Sequence, residues 1–134
     1  MGIVLLDTNI VSFILKGDSR AADYEPHLTD QQLAISFMTV AELYQWAAVR
    51  KWGERRRDQL TQTLKADYTV LSFDVRLCQI WGEIRARRLS IGKPISAQDA
   101  WVAATASHYA IPLITHNPKD FIDISNLKII TTVE

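Results

Sequence analysis

Short apolar, β-branched segments recur along this chain between longer stretches whose apolar residues return at helical spacing, and that alternation restricts the fold more than any other feature. A helix joining two neighbouring strands must carry the chain back to the same end of the sheet while covering its face, so the pattern predicts parallel pairing. Strands are expected at residues 3–6, 33–36, 69–71, 113–115 and 128–130. Between the second and third, residues 39–65 read as two helices, with Leu43, Tyr44, Ala47 and Ala48 on one apolar face and Gly53 punctuating the pair. Leu77, Ile80, Trp81 and Ile84 mark another helix. After it, Ala100, Ala103, Ala104 and Ser107 form a small-residue face that can lie close against a sheet. The expected class is α/β, with a central, mainly parallel five-stranded sheet flanked by helices. All 134 residues, 48% of them hydrophobic, are assigned to a single domain, because a chain of this length fills one core.

Several classes of function are set aside by composition. The longest apolar runs, residues 3–6 and 111–114 among them, fall far below the roughly 18 residues of a membrane helix, so no membrane role is expected. No basic leader with a long apolar stretch opens the sequence, and the single Cys78 has no internal disulfide partner, which points to a reducing, cytoplasmic setting. Cys78, beside Leu77 and Trp81, is expected in the core, and His27, His108 and His116 show no metal-ligand spacing. Fifteen basic residues balance fifteen acidic ones, so attraction to nucleic acid must be local. The charge is unevenly spread: residues 50–93 carry eleven basic and five acidic side chains, whereas residues 1–49 carry two and six. Arg50, Lys51, Arg55, Arg56 and Arg57 cluster at the helix pair, and Arg85, Arg87, Arg88 and Lys93 cluster further on. Solvated helix faces explain such runs; a phosphate-contacting rim, centred on Arg50, Lys51, Arg55 and Arg56, is the functional reading. The four Trp residues fit packing better than base stacking, with Trp52, amid arginines, the one candidate for stacking on a base.

Four acids stand out because each follows an apolar strand or opens an expected helix. Asp7 ends Ile-Val-Leu-Leu and begins Asp7-Thr8-Asn9; Glu42 closes Ser36-x-x-Thr39-x-x-Glu42; Asp99 follows Ser96; Asp120 ends Thr115-x-Asn117-x-x-Asp120 before Phe121. Taken singly, each has an ordinary explanation as a helix cap or capping-box partner, as with Thr39 to Glu42, Ser96 to Asp99 and Asn117-Pro118. Chance supplies roughly two such box spacings in a chain of this composition. Together they mean more, since strand C-terminal ends and the following helix N-termini of a parallel sheet face one crevice. Several carboxylates crowded there repel one another unless protons or a cation compensate. Oxygen donors without His or Cys suit a hard cation, Mg²⁺ or Mn²⁺, which can activate water against a phosphodiester. Asn9, Ser36, Thr115 and Asn117 are the polar residues expected to support the acids.

The ordered set of Asp7-Thr8-Asn9, Ser36-x-x-Thr39-x-x-Glu42, Asp99-Ala100 and Thr115-x-Asn117-x-x-Asp120-Phe121 resembles the PIN-domain family over essentially the whole chain. Order, spacing and length look most like the VapC toxins of VapBC toxin–antitoxin modules. The resemblance implies a sheet of order 3-2-1-4-5, a metal-dependent endoribonuclease, homodimerisation, and restraint by a cognate VapB-type antitoxin. Asp7, Glu42 and Asp99 match the family's three central acids. Asp120 is assigned as the fourth, with Asn117 standing where some members carry an acid. The alternative is a PIN-like RNA-processing nuclease or a non-catalytic RNA-binding module. Haloacid-dehalogenase chemistry would need a second Asp where Asn9 stands, and that pattern is absent.

Overall fold

The strand that begins the chain becomes the middle of the sheet because all of its residues are apolar and both of its faces are covered. In the computed structural model, which describes residues 2–133, β1 (Ile3–Leu6) is followed by α1 (Thr8–Lys16), α2 (Arg20–Leu28) and β2 (Gln32–Ser36). The chain continues through α3 (Phe37–Val49), α4 (Glu54–Asp67), β3 (Thr69–Leu71), α5 (Val75–Ser90) and α6 (Ala97–Tyr109). It ends with β4 (Leu113–Ile114), a 3-10 turn (Pro118–Phe121) and β5 (Ile129–Ile130). The sheet order is β3-β2-β1-β4-β5, and every pairing is parallel.

Successive side chains of β1 point to opposite faces. Val4 and Leu6 join Ile10, Val11, Leu43 and Leu60 on the side of α1, α3 and α4. Leu5 packs with Val102, Ala103 and Ala106 of α6 on the other. Continuous apolar strands are what a sheet buried on both sides requires. The alanines of α6 let its backbone approach closely, as the small-residue face predicted.

Three differences from the sequence reading have physical causes. The nine-residue α2 was not expected; it is mostly polar, its inward face reduced to Ala21, Tyr24 and Leu28, and Pro26 interrupts its donor ladder. Cys78 is exposed rather than in the core, because Leu77 takes the inward position of that turn. Arg88, placed in a basic rim by its neighbours, is buried instead: Nε donates to Lys93 O at 2.7 Å and Nη1 to Asp120 O at 3.3 Å and Ile122 O at 3.0 Å. It joins the end of α5 to the segment after β4. Smaller shifts leave β2 starting at Gln32 and β4 and β5 two residues long each. No helix among the described residues is long and apolar enough to cross a membrane.

Candidate metal-dependent nuclease site

The chain leaves β1 towards β2 and β3, then returns through α6 to β4 on the other side of β1, so the order in which strands are added reverses between β1 and β4. A crevice opens at such a switch, outside the strand C-terminal ends. Asp7 stands there as the N-cap of α1, its Oδ1 accepting from Thr8 N at 2.8 Å. Its Oδ2 accepts from Thr115 Oγ1 at 2.7 Å, directly after β4. Thr115 is itself held, its Oγ1 accepting from Asn117 N at 3.0 Å. Burial pushes the Asp7 carboxyl up from its ordinary 3.8 to about 6, against the hydrogen bonds from Thr115 and Thr8 and with the help of Asp99 and Glu42.

Glu42 reaches the same crevice from inside α3. The N-cap of α3 is Ser36, whose Oγ accepts from Thr39 N at 3.1 Å, so the expected Thr39-to-Glu42 capping box does not form. Glu42 instead accepts from Thr8 Oγ1 at 3.0 Å. Thr8 has one hydroxyl hydrogen and spends it on Glu42, so Thr39 donates in the 2.9 Å contact between the two threonines. Ser36 Oγ donates to Thr39 Oγ1 in turn at 3.4 Å. Three hydroxyls therefore point their hydrogens, one after another, towards the Glu42 carboxylate. Burial nonetheless raises the Glu42 pKa, the Thr8 bond opposes it, and Asp99 adds to the rise.

Asp99 lies in the first turn of α6, where the Ser96 cap expected from the sequence forms at 3.0 Å. Burial raises its pKa too, opposed by the Ser96 bond; the nearby Asp120 charge raises it further and Arg88 lowers it. Asp7, Glu42 and Asp99 line one crevice of about 300 Å³ together with Asn9 and Asn117. Asp120 is close enough for its charge to act on Asp99 but does not line that crevice, and Asn117, which does, makes no side-chain capping bond. Asn9 also ties the loop after β4 down, accepting from His116 N at 3.3 Å.

Lys16 and Trp46 border the crevice and were not singled out from the sequence, although a signal existed. Lys16 lies seven residues after Asn9 on α1, and Trp46 four after Glu42 on α3, so each shares a helix face with a site residue. Of the basic cluster, Arg50 ends α3, Lys51 lies in the following turn, and Arg55 and Arg56 lie in the first turn of α4; all four are exposed.

Three oxygen-donor side chains, each pushed towards its protonated form by burial and by a neighbouring carboxylate charge, form a donor set whose repulsion a hard divalent cation would relieve. Among the described residues no group of three His, Cys, Asp or Glu is already drawn together as a ligand set. What fits Mg²⁺ or Mn²⁺ is the chemistry of the donors, which are carboxylate oxygens with no His or Cys among them.

Comparison with known proteins agrees with this geometry. The chain is 30% identical over 131 residues to Ribonuclease VapC1 of Haemophilus influenzae, spanning 94% of this chain and 95% of that one. It is 29% identical over 126 residues to Toxin FitB of Neisseria gonorrhoeae, covering 89% and 91%. The structure of VapBC2 from Rickettsia felis bound to a promoter DNA fragment superposes with a TM-score of 0.83 at 26% identity, covering 98% of this chain and 99% of that one. The PIN domain profile matches residues 4–127, from β1 to just before β5, and takes in all four acids as well as the switch point that gathers three of them: this chain belongs to the PIN-domain family.

Proposed function

We propose that this protein is a metal-dependent endoribonuclease, the toxin of a toxin–antitoxin pair, which hydrolyses phosphodiesters in single-stranded or loop RNA. The observation that carries the reading is the convergence of Asp7, Glu42 and Asp99 at the C-terminal edge of the sheet, each partly or wholly buried. Similarity to a ribonuclease, to a toxin and to a toxin–antitoxin assembly supports it.

Asp7, Glu42 and Asp99 would hold Mg²⁺ or Mn²⁺, with Asp120 adding negative charge behind Asp99. The bound cation supplies Lewis acidity, lowering the pKa of water and offsetting charge that develops on the phosphodiester. The chain's own part is orientation. Thr115 and the Thr8 amide fix both oxygens of Asp7, and the Ser36–Thr39–Thr8 hydroxyls aim Glu42. Lys16 at the crevice edge counters the negative field that an approaching phosphate meets, and Arg50, Lys51, Arg55 and Arg56 extend that attraction outward. No histidine lines the crevice, so an attack by the RNA 2′-hydroxyl has no histidine base to serve it. Hydrolysis should therefore leave 5′-phosphate and 3′-hydroxyl ends.

Incubation with structured RNA in Mg²⁺, Mn²⁺ or EDTA, followed by end analysis, tests this directly. Cleavage should stop in EDTA. Cleavage that survives full chelation, or ends bearing 2′,3′-cyclic phosphate, would reject the mechanism. The partner is a VapB-type antitoxin placing a basic side chain against the acids, where an arginine fork can bridge two carboxylates. Co-expression should yield a complex with lowered activity, and light scattering on the free toxin should report a homodimer.

A further inference from the structure

Lys16, Arg50 and Arg56 have no carboxylate partner among the ion pairs of the described residues. They rest on indole rings instead. Lys16 Nζ lies 4.3 Å and Arg50 Cζ 4.6 Å from the Trp46 ring centre, and Arg56 Cζ lies 3.8 Å from that of Trp52. A neutral ring, unlike a carboxylate, does not cancel the charge of the cation it holds, so these charges remain available to an anion. Trp46 and Lys16 line two adjoining cavities. One is the acidic crevice; the other is a small groove of about 60 Å³ that also contains Arg50, Trp52 and Arg56.

We propose that Trp46 is a stacking subsite that seats one base of the RNA next to the cleaved phosphodiester, with Trp52 continuing the track; a base takes a ring face as the cation resting there, Lys16, Arg50 or Arg56, swings to the flanking phosphate. The assignment rests on the ribonuclease reading above. A single strand offers a flat base and a phosphate at every nucleotide, which is the alternation of ring and cation found here. An aliphatic peptide segment would fill the groove but leave three cations unanswered, and it is therefore the weaker occupant. Stacking is indifferent to hydrogen-bonding edges, so the subsite favours purines over pyrimidines by area rather than selecting one base. Trp46 touches the substrate beside the reacting atoms and so bears on where the strand is cut.

Binding of a ten-nucleotide single strand to the full chain, in EDTA so that the strand stays intact, tests the subsite. The same strand with abasic nucleotides serves as comparison. Trp46→Leu keeps an apolar, though smaller, side chain in the groove lined by Leu15 and Leu43 while removing the π-face. It should weaken binding of the base-bearing strand roughly tenfold and of the abasic strand less than twofold, with Trp46→Phe recovering most of the loss. Arg50→Ala with Arg56→Ala should lower the slope of log affinity against log salt by about 1.4 on both strands. In the parent, base-bearing RNA should quench indole fluorescence more than abasic RNA, a readout that needs no variant to fold. Equal losses on the two strands, or equal quenching, would overturn the subsite while leaving RNA binding intact. RNA binding unchanged in Trp46→Leu, with weakened hold on a co-expressed antitoxin, would overturn it in favour of a protein groove. A parent that binds neither strand would remove the ribonuclease reading itself.

Discussion

Asp7 and Arg88 are almost equally hidden, at 6% and 5% exposed, yet their surroundings give the two charges opposite meanings. Arg88 is a satisfied charge, its guanidinium donating to three backbone carbonyls that it helps hold together. Asp7 accepts two hydrogen bonds, but it faces Glu42 and Asp99 rather than a cation. Burial with matched partners builds structure; burial with like charges leaves a site short of a counter-ion. The contrast also explains why Arg88 lowers the Asp99 pKa without occupying the crevice: its hydrogens are turned towards loop carbonyls.

The contrast breaks most decisively through Asp7→Asn. Ribonuclease activity should fall by orders of magnitude, while stability in chelator stays level or rises because a repulsive charge has gone. Metal should stabilise the parent by about 2.7 kcal/mol at a hundredfold excess over Kd and the variant much less. Thermal melts of both proteins with and without Mn²⁺ check this. Equal metal-induced shifts would take Asp7 out of the site.

Arg88→Met should behave in the reverse way. Leaving the Lys93, Asp120 and Ile122 carbonyls without their donor should cost about 3 kcal/mol in urea melts, with or without metal. Arg88→Lys should recover little, because a point ammonium cannot span the three acceptors that the fork reaches. A loss that appears only with metal present would make Arg88 part of the site.

The pH dependence comes next. The folded-state pKa of Asp7, about 6, lies above its ordinary 3.8, so the folded protein holds this proton more tightly than the unfolded chain. Stability from this group is therefore full at low pH, is lost as pH rises from about 4 to 6, and is flat above that. The loss is on the order of 2 to 3 kcal/mol without metal. Glu42 and Asp99, also raised, act in the same direction. Subtracting the Asp7→Asn curve removes the groups common to both proteins, and the difference should shrink when Mn²⁺ is added above pH 6. A difference that grows as pH falls would contradict the sign.

Ser36→Ala should give the smallest effect. It removes the buried N-cap of α3 and the first hydroxyl of the relay to Glu42, costing about 1 kcal/mol. Metal affinity should drop only modestly, because Thr8 still donates to Glu42. A metal affinity lowered as far as in Asp7→Asn would mean that the relay, rather than the carboxylate, controls the site.

The elements that were legible in the sequence share one property: their signal is local. Residues 3–6 read as a strand because four apolar residues stand together before Asp7, and the Ser96 cap reads correctly because it bonds an amide three residues on. Local signals faded at α2, where Pro26 and polar residues mask a helix that forms once Tyr24 is buried beneath it. They misled at Glu42, whose spacing from Thr39 imitates a capping box while the helix starts at Ser36.

The sequence by itself determined the order of the strands and of every helix except α2, the acids that follow them and the family pattern, because side-chain periodicity and capping act over a few residues. Only the tertiary structure decided which charges meet. Asp7 and Thr115 are 108 positions apart, and Thr8 and Glu42 are 34 apart; both pairs touch because β1 lies between β2 and β4. Adjacent residues on a helix point about 100° apart, so Arg87 faces solvent and Arg88 the interior, a choice made by the loop that packs against α5 rather than by the Arg-Ala-Arg-Arg run.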